Sequence, residues 1–169
     1  YFRENYERGL ESLPIITSDI NITRVEVWIT NIGPAVQDNR NIVAFTDLGE
    51  GKSEWINNSA VQPRIGPPLP SGSSNNLISR MDTASIRSIS NVSAYLAGDP
   101  YGLGRSGYFI AGQDFEKVEN ARKLSTTEYT FNSKLGFISL NTNLGPDQIL
   151  AVAYQYTVIG YDSVFQVGD

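Results

Sequence analysis

EYTFNSKLGFISLNTNLGPDQILAVAYQYTV, residues 128–158, reads as three β-strands joined by two tight turns. Tyr129 and Phe131 alternate with Thr130 and Asn132, and Asn132-Ser133-Lys134 with Gly136 supplies turn chemistry before extended sequence resumes over 135–140. A second break falls at Gly145-Pro146-Asp147. From Ile149 the period is two: Leu150, Val152, Tyr154, Tyr156 and Val158 share one face, with Ala151, Ala153, Gln155 and Thr157 on the other. The expectation is a C-terminal three-strand antiparallel meander, and the stretch holds no recognisable catalytic chemistry.

The same period recurs upstream. Val25, Val27 and Ile29 alternate with Arg24, Glu26 and Trp28 inside a strand over 23–30, which Asn31 and Gly33-Pro34 terminate. Ile42 to Phe45 reads as a short buried strand within 41–47. Three segments suggest helices instead. Phe2, Tyr6 and Leu10 recur every four residues before Leu13-Pro14. Ile86, Ile89, Ser93 and Leu96 share a helical face behind Asp82 or Thr83 as cap, with Gly98 as the stop. In 114–123, Phe115, Val118 and Ala121 or Arg122 would face the sheet. Between them, 51–76 carries four of the eight prolines and the run Ser71 to Asn76, and reads as a long loop. Strands and helices fall in blocks, so the expected fold class is α+β: a single domain with an antiparallel or mixed β-sheet and about three helices.

The composition narrows function. At 169 residues and 40% hydrophobic content the chain can bury one ordinary core. A formal charge of −5 without any Lys/Arg cluster argues against nucleic acid as a partner. The chain has no cysteine and no histidine. Thiolate nucleophiles, Ser/His/Asp triads and His-bearing zinc or iron sites are therefore excluded within it. No apolar run approaches the roughly 20 residues of a membrane-spanning helix. The chain opens at Tyr1-Phe2-Arg3 and stops at Val167-Gly168-Asp169, which reads as a soluble segment of a longer polypeptide.

Few motifs carry chemistry. Gly102-Leu103-Gly104-Arg105-Ser106-Gly107 matches the dinucleotide fingerprint, but Gly98-Asp99-Pro100 before it breaks any strand and Tyr108 to Gly112 after it looks extended, so the motif reads as a turning loop. The carboxylates are scattered and form neither a calcium loop nor a spaced pair that sequence can recognise. Trp28, Trp55, Tyr101 and Tyr108 are the candidate contact residues, Trp55 because it sits on the long loop and Trp28 because it opposes the apolar face of its strand. These aromatics suggest a carbohydrate-binding or adhesive surface module as one reading. No catalytic, cofactor or metal-ligating residue is assigned.

Asn21 to Gly33 (NITRVEVWITNIG), Arg40 to Glu50 (RNIVAFTDLGE), Phe115 to Val158 and the closing Phe165 to Asp169 (FQVGD) together resemble the SprA/Sov family of Bacteroidetes. These are very large outer-membrane proteins of the type IX secretion system, linked in many members to gliding motility. The stretch from Glu54 to Ala111 has no part in the resemblance. The resemblance implies a folded segment of a giant β-barrel translocon, at the outer membrane or cell surface, with the extracellular side favoured because bacterial barrels keep periplasmic turns short. Its implied partners are the rest of the parent barrel, other secretion-system components and exported proteins. No catalytic residue carries over. Asp82-Thr83-Ala84 and Asp162-Ser163-Val164 are similar to the Asp-[Ser/Thr]-apolar O-glycosylation acceptor of exported Bacteroidetes proteins, which marks Thr83 and Ser163. As an isolated monomer, such a segment is expected to show an apolar patch at Tyr1, Phe2, Phe165 or Val167.

Overall fold

The computed structural model describes residues 2–34, 38–46, 96 and 109–168. Within them lie one helix, α1 (Phe2–Leu10), and the strands β1 (Ile20–Ile29), β2 (Arg40–Phe45), β3 (Phe115–Lys123), β4 (Tyr129–Asn132), β5 (Phe137–Leu140), β6 (Leu150–Val158) and β7 (Val164–Val167). Five strands form a curled sheet in the order β2-β3-β1-β6-β7, with antiparallel neighbours throughout, and β4–β5 forms a separate hairpin. This overturns the α+β expectation of about three helices: the described residues are mostly β-sheet with one short helix. The expected helix over 82–97 and the loop over 51–76 fall outside the described residues, except that Leu96 is helical and buried.

The longest ladder joins β1 to β6, from Ile20↔Val158 to Ile29↔Leu150. A bulge between Ile22 and Arg24 inserts one extra β1 residue, and this keeps Ile20 and Ile22 on the same face as Val25, Val27 and Ile29. Opposite them on β6 stand Val158, Tyr156, Tyr154, Val152 and Leu150. On this face Ile20, Ile22, Val27, Ile29, Tyr156 and Val158 are buried, Val27 and Tyr156 completely. Each fully buried side chain of this size is worth about 1.5–3 kcal/mol of transfer free energy, so the ladder dominates the fold.

The segment expected as a third helix is strand β3. Its apolar spacing of three comes from a bulge: Ile42 pairs with Val118 but Arg40 pairs with Ala121, so β3 spends one residue more than β2 over the same span. Asn120 takes up the excess at φ 55°, a left-handed conformation that asparagine tolerates better than most residues. Its backbone N–H donates to Asn41 Oδ1 at 3.0 Å. Val118 and Ala121 thereby share the Trp28 face, whereas Phe115 turns to the other face and packs on Phe45. The helical period was thus imitated by a strand that is buried on both sides.

The meander is likewise corrected: all three of its strands exist, but β6 pairs with β1 and β7, and not with β5. β6 makes nine pairs along β1, while β4 and β5 pair only with each other. The hairpin instead folds over the apolar face, where Tyr129, Ile138 and Leu140 meet Val27, Ile29 and Leu150. Three hydrogen bonds fasten this layer to the β1 edge: Leu124 N–H to Val27 O, the Tyr129 hydroxyl to Val25 O, and Ile22 N–H to Ser133 O.

Helix α1 caps the hairpin turn, though on a different side from the Phe2/Tyr6/Leu10 stripe. Its inward residues are Asn5, only 2% exposed, and Gly9. Asn5 donates to Lys134 O and accepts from the Ser18 hydroxyl, so its buried amide is satisfied. Gly9 lets Leu135 come so close that a Cβ would stand 2.8 Å from Leu135 Cδ2. Tyr6 stays largely outside and meets Phe137 edge-on at 6.0 Å.

Candidate functional site

The β6–β7 end of the sheet is one of the places where apolar side chains reach solvent, as Leu13, Ile15 and Ile32 do elsewhere. After Val158 the chain turns through Ile159 and Gly160, whose φ of +88° suits glycine, and returns as β7. Ile159 N–H donates to Asp19 O, tying this turn to the segment that leads into β1. An aromatic row runs along it: Tyr154 lies 6.1 Å from Tyr156, Tyr156 stacks on Phe165 at 5.3 Å, and Tyr161 meets Phe165 edge-on at 6.2 Å. Tyr156 is buried and Tyr154 and Phe165 are half-buried, yet Ile159 is 75% exposed, Val164 61% and Tyr161 52%.

Of the residues expected to make an apolar patch, Val167 is buried with Ile20, Ile22, Tyr156 and Val158, and Phe165 is half-buried against them. Tyr1 and the Phe2 side chain lie outside what is described. The exposed apolar residues at this end of the sheet are instead Ile159, Tyr161 and Val164. The sequence held one signal for it: the uncharged run Val164-Phe165-Gln166-Val167 follows directly on a turn that ends an alternating strand.

The other candidate residues are dispersed. Trp28 is 6% exposed, with the Arg40 guanidinium 5.6 Å and the Lys123 ammonium 5.8 Å from its ring centre and Val118 and Ala121 beside it. Ser163 is exposed in the short connection before β7. Trp55, Tyr101, Tyr108, Thr83 and the Gly102–Gly107 motif lie outside the described residues.

Among the described residues two carboxylates have displaced titrations, both downward. Glu26 Oε1 accepts from Lys123 Nζ at 2.7 Å and Arg24 Nη2 at 2.6 Å, and these cations, Lys123 foremost, hold its carboxyl below the ordinary value against the opposing effect of burial. Glu128 is lowered to about 2, chiefly by the Arg122 guanidinium at 2.9 Å and next by the Ser125 N–H at 2.9 Å. Both carboxylates are held in ion pairs, Glu26 between β1 and β3 and Glu128 against Arg122 of β3. Among the described residues no group of three acidic side chains is placed to hold a metal ion, and no helix is long and apolar enough to cross a membrane. The chain matches no family model, and no curated protein matches it.

Proposed function

We propose that this chain is a non-catalytic contact module of an outer-membrane protein-export translocon of the type IX secretion kind, associated with gliding motility. Its work is to brace the parent barrel or to shape the passage of exported chains through surface contact. The observation that carries this reading is the apolar end formed by Ile159, Tyr161 and Val164, beside an edge strand that no described residue covers. The resemblance to the SprA/Sov family supports it from the sequence side. The quoted stretches supply β1, β2, β3 to β6 and most of β7, so the resemblance falls on the framework strands. A place on the extracellular side of the outer membrane, with the parent barrel, other secretion components and exported chains as neighbours, belongs to the same proposal.

The test is photo-crosslinking in the full-length parent within outer membranes, with probes at Ile159 and Tyr161. Capture of barrel segments, secretion components or exported chains is expected. Probes that stay unreacted at both positions, in a parent that still exports, would count against a contact role.

A further inference from the structure

We infer that the sheet face around Trp28 is a docking surface for an extended acidic peptide, gripped by Arg24, Lys123 and Arg40. The inference is independent of the translocon reading, because it rests on the charge of these side chains alone.

The strand register puts the three cations on one face. Arg24, Glu26 and Trp28 stand opposite Gln155, Ala153 and Ala151 in turn, and Lys123 of β3 pairs with Trp28. Arg40 of β2 pairs with Ala121, which packs beside Trp28. Arg24 Nη2 and Lys123 Nζ donate to the same oxygen, Glu26 Oε1, at 2.6 Å and 2.7 Å, so two positive charges are held side by side. The Lys123 ammonium and the Arg40 guanidinium lie 5.8 Å and 5.6 Å from the Trp28 ring centre. Glu26 and Trp28 are themselves largely buried, which fixes where the cations stand before any ligand arrives. All three cations nevertheless reach solvent.

Charge selects the occupant. Among the described residues, Glu26 is the one carboxylate that bonds any of the three cations. The carboxylates nearest to them along β3 are engaged or distant: Glu119 pairs with Lys117, Glu128 with Arg122, and Glu116 lies toward the far end of the strand beside Gly112. Three cations against one carboxylate leave this face with surplus positive charge, in a chain whose net charge is −5. Such a face attracts carboxylates and repels basic segments. Its two anchors, the Arg24/Lys123 pair and Arg40, flank the Trp28 ring, an arrangement that suits carboxylates two residues apart on an extended peptide, about 7 Å. Gln155 and Gln166 continue the row from Arg24 across β6 and β7 with side-chain amides, groups that bond peptide N–H and C=O.

The experiment titrates the full chain with three synthetic peptides of one length, in which Thr alternates with Glu, Gln or Lys, and follows backbone amides by NMR. The Glu peptide is expected to shift amides over 24–28, 40–42 and 121–123, to bind about tenfold more tightly than the Gln peptide, and to weaken as salt is raised. The Lys peptide is expected not to bind. Arg24→Gln and Arg40→Gln should each weaken the Glu peptide about threefold, while Lys117→Gln, which removes the same charge from the other face of β3, should leave it unchanged. Hairpin amides of β4 and β5 that keep their wild-type shifts show that the variants are folded. Equal binding of the Glu and Gln peptides, absence of binding at millimolar concentration, shifts centred away from Trp28, or equal weakening by Lys117→Gln would each overturn the inference. Tighter binding of a uronic-acid oligosaccharide of equal charge would overturn the assignment of a peptide.

Discussion

At one edge of the sheet β2 begins with the charged Arg40 and runs against a bulge held by Asn41, whereas at the other β7 offers four uncharged residues with neither charge nor bulge. Both strands are bonded on a single side among the described residues. The difference lies in what guards them. Arg40 reaches back over Trp28, and the Asn120 bulge twists β3 beneath β2, devices that discourage a further strand. β7 is anchored from below by Tyr156 and Val167 while its outer side stays plain. Among the described residues, one sheet thus pairs an edge with these devices and an edge without them.

The largest expected effect is on the anchor of β7. Tyr156→Ala removes a completely buried ring stacked on Phe165 and should cost about 3–5 kcal/mol in denaturant unfolding. In hydrogen exchange, protection of β7 should fall more than that of β2. Equal loss at both edges would erase the asymmetry. At the guarded edge, Asn120→Val forces a β-branched residue into φ 55° and should cost about 1–2 kcal/mol, while Asn120→Gly should be close to neutral. Identical stability of the two variants would show that the bulge is not what shapes that edge.

A smaller effect comes from the pin between β3 and the hairpin. The folded Glu128 titrates at about 2, below its ordinary value near 4.5, so the charged form is favoured by folding. That contribution is complete above about pH 4.5 and is lost as pH falls toward 2. Glu128→Gln should lower stability at neutral pH by about 1 kcal/mol, given the partial exposure of the pair, and should flatten the decline within that window. An unchanged acid profile would remove the pin from the account.

The sequence disclosed the centre of the fold better than its rims. Alternation along β1 and β6 assigns their faces because one side of each strand carries nearly all its large aliphatic side chains. β3 misled because Asn120 adds a residue and Phe115 and Val118 are buried on opposite faces, which together imitate a helix. The pairing of β6 with β1, distant in the chain, follows from ladder length, which local turn chemistry at Gly145-Pro146 does not reveal. Helix α1 docks through Asn5 and Gly9, residues that a hydrophobic stripe overlooks. The contact end was barely legible: β7 has four residues, and the side chains that reach solvent there differ from the Phe165 and Val167 singled out by apolarity. Trp28, conspicuous by type, is packed between cations within the sheet layer.

The most direct test of a presented edge places a photo-crosslinking residue at Val164 in one full-length parent and at Val43, on β2, in another, both in outer membranes. The account predicts capture of a neighbouring polypeptide from position 164 and little from position 43. Equal capture from both positions, or capture from 43 alone, would contradict it.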